Sequence, residues 1–248
     1  WTGGLTISGV KFEGLPSGVP FGYNFIYWKA PATGTSSRFN IKVDNCEFAN
    51  CQQRAITNSD ATATALDSLI VTNSVFRNTL KHPFYLKATR NSSNIFPGAF
   101  KYARLENLLI IKTFTSSSDG YATYIEPGNR DSSARPFPTV IVNHVTADSC
   151  MGGGINTYTT SGALVQNCIV SNSVTGKDTS GYSYALEGGR WVGAAASNLK
   201  NSLYFNNNPP KNNRGVSLGN SLYTLAVVTN VQADVDPMFN NPATRDYS

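Results

Sequence analysis

Charge is scarce in this chain: of 248 residues, 20 are Lys or Arg, 15 are Asp or Glu and two are His. A charged fraction of 14%, with Asn, Ser, Thr and Gly filling the gap, argues against a helical bundle. It suits a β-rich extracellular protein with many turns. Apolar runs of about 18 residues are absent, which excludes a membrane-spanning helix. Cysteine is thin too. Cys46, Cys51, Cys150 and Cys168 have no C-x-x-C spacing, and His82 and His144 have no zinc-type spacing, so no metal centre of that kind is expected. Two readings of the thiols stay open, a Cys46–Cys51 disulfide and buried free cysteines. Gly-rich MGGG, Met151–Gly154, lacks the G-x-G-x-x-G order, which removes a dinucleotide site. The chain starts at Trp1 without Met or a leader and reads as a mature or excised piece.

The excess positive charge is local. Residues 77–135 hold nine Lys or Arg against four Asp or Glu, while the remainder nets zero. A solvated basic surface and a patch that attracts a polyanion both fit that distribution. Nucleic acid is not expected, because a basic patch alone is nonspecific and none of the usual modules is present.

What the chain has in abundance is one repeated phrase. IKVDNCEFAN (Ile41–Asn50), LIVTNSVFRN (Leu69–Asn78) and ALVQNCIVSN (Ala163–Asn172) share it. Anchored on its bend residue, the series runs Gly9, Asn45, Asn73, Asn107, His144, Asn167 and Asn201. Two positions earlier stand Ile7, Val43, Val71, Leu105, Val142, Val165 and Leu199. Three positions later stand Phe12, Phe48, Phe76, Ile110, Ala147, Val170 and Tyr204. Alternation on both sides of the anchor is the two-residue period of strands, and no 3.6-residue period persists.

Anchor spacings of 36, 28, 34, 37, 23 and 34 residues vary too much for stacked helix pairs. They fit a β-coil, whose strands must stay in register while its loops bulge freely. The expected fold is therefore all-β, a single-stranded parallel β-helix of about seven to eight coils over residues 1–232. A turn-rich segment from Ala233 to Ser248, with Pro237 and Pro242, caps it. Each anchor Asn tolerates the left-handed backbone and offers its amide to the next rung. Asn45, Asn73, Asn107, Asn167 and Asn201 should thus form a ladder, with His144 filling one place as a neutral imidazole.

A second strand per coil is expected at Phe25–Trp28, Arg54–Thr57, Phe84–Lys87, Thr123–Glu126, Gly154–Thr157, Ala185–Gly188 and Val216–Gly219. Ile56, Leu86, Ile125, Ile155, Leu186 and Leu218 would point inward. Thr57, Lys87, Glu126, Asn156 and Glu187 would stack as one outward column, flanked by Tyr85 and Tyr124. Arg90 and Arg130 follow their strands closely, and GGRW, Gly188–Trp191, offers Trp191 as a sugar platform or a plug. Such a face suits a glycan: Tyr rings stack on sugars while cations meet carboxylate or sulfate. A plain ladder of outward ion pairs explains the same residues.

The V-x-N-x-x-F rungs and the closing DPMFNNPATRDYS resemble right-handed parallel β-helix proteins of the polysaccharide lyase type, of pectin lyase-like fold. The likeness is to the chondroitinase and alginate lyase-like group and to β-helix domains of gut and environmental Bacteroidetes, and it covers nearly the whole chain. It implies a secreted or cell-surface protein that engages acidic polysaccharide, as a monomer and without membrane insertion. It also implies a lyase mechanism, β-elimination with a Lys base, a nearby Arg and a calcium ion held by Asn and an E-x-E pair. Carried onto this chain, Lys87 would be the base, with Arg90 and Arg130 beside it. Tyr85, Tyr124, Glu126, Asn156 and Trp191 would meet substrate. No cofactor is required otherwise; calcium, if bound, would sit on Glu126, Asn156 and Glu187. The E-x-E with a following Lys is absent: Glu126 and Glu187 are each followed by Arg within four residues. That absence favours a non-catalytic glycan-binding or adhesion module over a lyase, and the local basic segment favours either over a structural spacer.

Overall fold

The computed structural model describes residues 2–14, 23–28, 38–58, 66–87, 100–115, 119–126, 139–157, 162–173, 186–188, 198–207, 216–217, 227–233 and 236–239. Among them every regular element is a strand. In chain order these are β1 (Thr2–Ser8), β2 (Lys11–Glu13), β3 (Ile26–Trp28), β4 (Arg38–Asp44), β5 (Glu47–Ala49), β6 (Ile56–Asn58) and β7 (Leu66–Thr79). There follow β8 (Phe84–Lys87), β9 (Phe100–Thr113), β10 (Tyr121–Glu126), β11 (Thr139–Cys150), β12 (Gly153–Thr157), β13 (Leu164–Gln166) and β14 (Ile169–Ser171). The last are β15 (Leu186–Gly188), β16 (Asn198–Lys200), β17 (Leu203–Phe205), β18 (Val216–Ser217), β19 (Val227–Thr229) and β20 (Gln232–Ala233). The closing segment expected from Ala233 thus begins inside a strand, and Pro242 lies outside the described residues.

All pairings are parallel. They build a 13-stranded sheet whose long path is β1-β4-β7-β9-β11-β13-β16-β19, and a seven-stranded sheet ordered β3-β6-β8-β10-β12-β15-β18. The chain visits the sheets alternately. The repeated phrase lies in the larger sheet and its later partner strand in the smaller one.

The register joins the predicted columns residue by residue. Ile7, Val43, Val71, Leu105, Val142, Val165 and Leu199 are successive partners. So are Phe12, Phe48, Phe76, Ile110, Ala147, Val170 and Tyr204. Phe12, Phe48 and Phe76 stack ring on ring at 4.7 and 4.6 Å, within 4° of parallel. Phe76 then meets Phe84 of the other sheet at 4.5 Å. Ile56, Leu86, Ile125 and Ile155 are wholly buried, as expected. Leu186 is in register with Ile155, and Leu218 lies outside the described residues.

All seven anchors adopt the left-handed conformation, with φ between 46° and 68°. The structure adds a second left-handed series five residues on: Asn50, Asn78, Lys112, Ser149, Asn172 and Asn206. The rungs anchored at Asn45, Asn73, Asn107, His144, Asn167 and Asn201 therefore bend twice. Asn leads both series because its amide tolerates this backbone and bonds across rungs.

The ladder differs from expectation in its side chains. Asn107 Nδ2 donates to Asn73 Oδ1 and Asn230 Nδ2 to Asn201 Oδ1, both at 3.1 Å. Asn73 Nδ2 instead donates to Asp44 Oδ1 at 2.8 Å, and Asn167 Nδ2 to Asn143 Oδ1 at 2.9 Å, bypassing Asn45 and His144. In both places a carboxylate or amide one residue before the bend accepts the donor instead. His144 is exposed and keeps its ladder place through its backbone alone, with φ 50°. A second run of amides joins the later bends: Asn78 Nδ2 to Asn50 Oδ1 at 3.1 Å and Asn206 Nδ2 to Asn172 Oδ1 at 2.7 Å. Backbone and amide contributions separate by mutation. Asn73→Ala should cost about 2 kcal/mol, combining left-handed strain with lost bonds, and Asn73→Gly roughly 1, the bonds alone. Urea midpoints would check the order, and equal losses would contradict it.

All four cysteines are free and buried, which settles the two open readings of the thiols. Burial pushes the Cys51 thiol up to about 11 and those of Cys150 and Cys168 to about 12, so they pack as inert side chains.

Candidate functional site

The residues expected to form a glycan face fall on the smaller sheet, whose register revises the expected column. Lys87 partners Glu126. Thr57, however, partners Tyr85, which partners Tyr124, then Asn156, then Glu187. The observed column is thus Tyr27, Thr57, Tyr85, Tyr124, Asn156, Glu187 and Ser217. Lys87 and Glu126 stand two residues further along their strands. The slip arises because β6 begins at Ile56, opposite Phe84, where Leu86 is the equally apolar alternative. For the calcium set, Asn156 and Glu187 are adjacent in register while Glu126 belongs to the Lys87 position. Arg90, Arg130 and Trp191 lie outside the described residues.

This column is not an open shelf. Thr57 and Asn156 are buried, and so is Tyr85, whose ring carries the Arg54 guanidinium at 3.6 Å from its centroid. Tyr124 is half-buried, and Tyr27 is exposed at the column's start. Tyr85 is therefore a platform already occupied by a cation of the chain itself.

Extending the register two residues upstream of each strand explains what gathers there. Arg54, His82 and Tyr121 fall in one column, with Lys81 one residue before His82. The fully buried His82 ring stacks on Tyr85 at 5.2 Å and lies 5.1 Å from Tyr124. Its Nδ1 faces the Tyr121 carbonyl oxygen at 3.3 Å, and its Nε2 faces Asp119 Oδ1 at 3.6 Å. Asp119 also meets Arg54 Nη2 at 3.3 Å and Lys81 Nζ at 3.6 Å. The Arg54 backbone N–H donates to Asn24 Oδ1 at 3.1 Å, which fixes the base of that side chain. Two cations thus share one carboxylate beside a ring cluster. The phrase-based reading gives none of Arg54, Lys81, His82 and Asp119 a place in the site, although Arg54 opens an expected strand. Their signal is positional: the residues just before each smaller-sheet strand.

Burial holds His82 below the usual imidazole range, reinforced by the Arg54 charge and opposed by Asp119. The contact with His82, and then the charges of Lys81 and Arg54, hold Asp119 well below the usual carboxylate range against its desolvation. Both folded-state affinities for protons are depressed, so the unfolded chain binds more protons as pH falls. Stability should therefore be full above the ordinary imidazole value of about 6.5, decline below it, and decline further below the ordinary carboxylate value of about 4. Urea midpoints at pH 7.5 and 5.5 would show the first step. His82→Phe, which keeps a stacked ring, should flatten it; an unchanged slope in that variant would assign the step elsewhere.

The basic segment is less free than its charge count implies. Arg77 pairs with Glu47, Lys101 with Asp67 at 2.7 Å, and Arg104 with Glu106. Lys112 Nζ lies 4.8 Å over the Phe114 ring. A second polar site is an open cleft of about 240 Å³ lined by Lys11, Glu13, Glu47, Ala49, Asn50, Arg77 and Asn78. Lys11 Nζ is 2.8 Å from Glu13 and 3.7 Å from Glu47, so its charges satisfy one another. Among the described residues no group of three His, Cys, Asp or Glu is placed to hold a metal ion. No helix among them is long and apolar enough to cross a membrane.

No known family model and no curated protein matches this chain.

Proposed function

We propose that the two sheets are faces of one right-handed parallel β-helix of about seven to eight coils, resembling those of polysaccharide lyases, and that its smaller-sheet face engages acidic polysaccharide. Alternation of the chain between parallel sheets supports the coil, and the strong preference of parallel crossovers supports the hand. The glycan reading rests on one observation: Arg54 and Lys81 share the single carboxylate of Asp119, beside the half-buried Tyr124 ring. Among the described residues this leaves a local excess of one positive charge where uronate or sulfate can be met, with the exposed Tyr27 further along the same column. Lys87 follows Tyr85 on the same strand, in register with Glu126. A secreted or cell-surface protein acting as a monomer fits this role.

Retention on immobilised alginate, chondroitin sulfate and a neutral glucan tests it. We expect retention on an acidic polymer, falling as salt rises, and about tenfold weaker after Arg54→Gln with Lys81→Gln, a loss of about 1.4 kcal/mol. No retention on any acidic polymer at low salt, or equal retention on the neutral glucan, removes the reading. Ultraviolet absorbance from new unsaturated ends separates lyase from binder, with Lys87→Ala as the control for the base.

The alternative, a structural spacer of a larger surface protein, is favoured by the covered face of Tyr85 and by the acid partners of Arg77, Lys101 and Arg104, which neutralise the basic segment.

A further inference from the structure

The N-terminal edge of the larger sheet is built like every interior rung but is paired on one side only. Strand β1 pairs with β4 and β2 with β5, and neither has a second neighbour among the described residues. Val43 and Phe48, one rung in, are wholly buried; Ile7 and Phe12, in the same columns, are half-exposed. One face of the Phe12 ring lies on Phe48 at 4.7 Å.

The backbone is equally unfinished. The Gly9 N–H donates to the Asp44 carbonyl, toward β4. By strand alternation the N–H groups of Gly3, Leu5 and Ile7 point the same way, and those of Gly4, Thr6 and Ser8 point outward. On β1 the devices that usually blunt an edge are missing, whereas β2 carries Lys11 and Glu13, ion-paired at 2.8 Å. Strand β1 is seven residues, TGGLTIS, with no Pro, charge or bulge. A Cβ added at Gly3 would meet nothing within 4 Å. The opposite end differs: β19 and β20 are three and two residues long, with Pro237 soon after.

We propose that this edge is a binding site for one more parallel strand, an extended polypeptide segment of the pattern aliphatic-x-Asn-x-x-aromatic. The columns specify the occupant. An aliphatic residue continues Ile7 and an aromatic ring closes over Phe12. A residue tolerant of the left-handed backbone must sit over Gly9, where φ is 68°. Main-chain bonds to Gly4, Thr6 and Ser8 supply affinity, and the two columns supply selectivity. A second copy of β1 does not fit, because a two-fold axis would run the strands antiparallel and break both columns.

The test uses the whole chain and a synthetic peptide copying residues 38–50 with serine for Cys46, RFNIKVDNSEFAN. Amide hydrogen exchange should slow at least tenfold at Gly4, Thr6 and Ser8, with little change at Gly3, Leu5 and Ile7. Replacing Val43 and Phe48 of the peptide by serine should weaken binding at least tenfold. On the protein, Phe12→Ser should weaken it, while Thr6→Ser, at an outward position in register with the exposed Lys42, should not; circular dichroism confirms that both variants fold. Protection absent, uniform along β1, or equal with a scrambled peptide overturns the proposal. So does a concentration-dependent dimer that protects these amides without peptide.

Discussion

Phe48→Ala is expected to lower the free energy of unfolding by about 3–5 kcal/mol, the range for deleting a buried aromatic side chain. Phe48 is wholly buried, and its ring is held between Phe12 and Phe76 at 4.7 and 4.6 Å. Removal leaves a gap that those rings cannot close, because each is tied to its own strand 4.8 Å or so from the next. Phe48→Leu keeps most of the volume and should cost about 1.5 kcal/mol or less. Phe12→Ala should cost less than Phe48→Ala, since Phe12 is half-exposed at the end of the stack. The loss should also be local. In the proposed coil, rungs touch chiefly their neighbours, so stability should be close to a sum of rung and interface contributions. Strands β7, β9 and β11, of 14, 14 and 12 residues, form the longest pairings. Hydrogen exchange in Phe48→Ala should therefore accelerate first in β1, β2, β4 and β5 while β9 and β11 stay protected. Uniform acceleration would mean that the stack unfolds as one unit.

The same columns explain what the sequence made legible. Seven anchors found by alternation alone adopt the left-handed bend, and their flanking residues are register partners, because each column is buried and a one-residue slip would expose it. The smaller sheet was harder. Its strands are short, and Phe84 and Leu86 on β8 are equally apolar and both buried, so two alignments of Ile56 look alike in sequence. Structure chose Phe84, which moved Tyr85 rather than Lys87 into line with Thr57 and Asn156. The second series of bends was present as Asn50, Asn78, Asn172 and Asn206. Lys112 and Ser149 interrupt it, and neither residue type signals a left-handed backbone. The His82 cluster was illegible because Arg54, His82 and Asp119 come from three rungs, and Asp119 reaches His82 from a loop outside any strand.

Gly153→Ala is expected to cost about 2–4 kcal/mol, adding overpacking to left-handed strain. Gly153 has φ 143°, and a Cβ there would come within 2.3 Å of the Tyr121 ring. Tyr121 is its register partner on β10 and is itself buried, so the ring has little room to retreat. The consequence reaches the candidate site. Tyr121 supplies the carbonyl facing His82 Nδ1, and its ring lies 6.2 Å from that of Tyr124. Displacing Tyr121 should loosen the ring cluster that supports Arg54, so the acidic-glycan retention proposed for this face should weaken along with stability. Combining Gly153→Ala with Tyr121→Ala removes the clash. If steric pressure on that ring is the cause, the double variant should lose less than the sum of the two single changes, a coupling readable in a mutant cycle. Strict additivity would place the whole cost in the Gly153 backbone and leave Tyr121 a bystander. Asparagine at 153 should rescue nothing, because it carries the same Cβ and φ 143° lies outside the left-handed basin that asparagine tolerates.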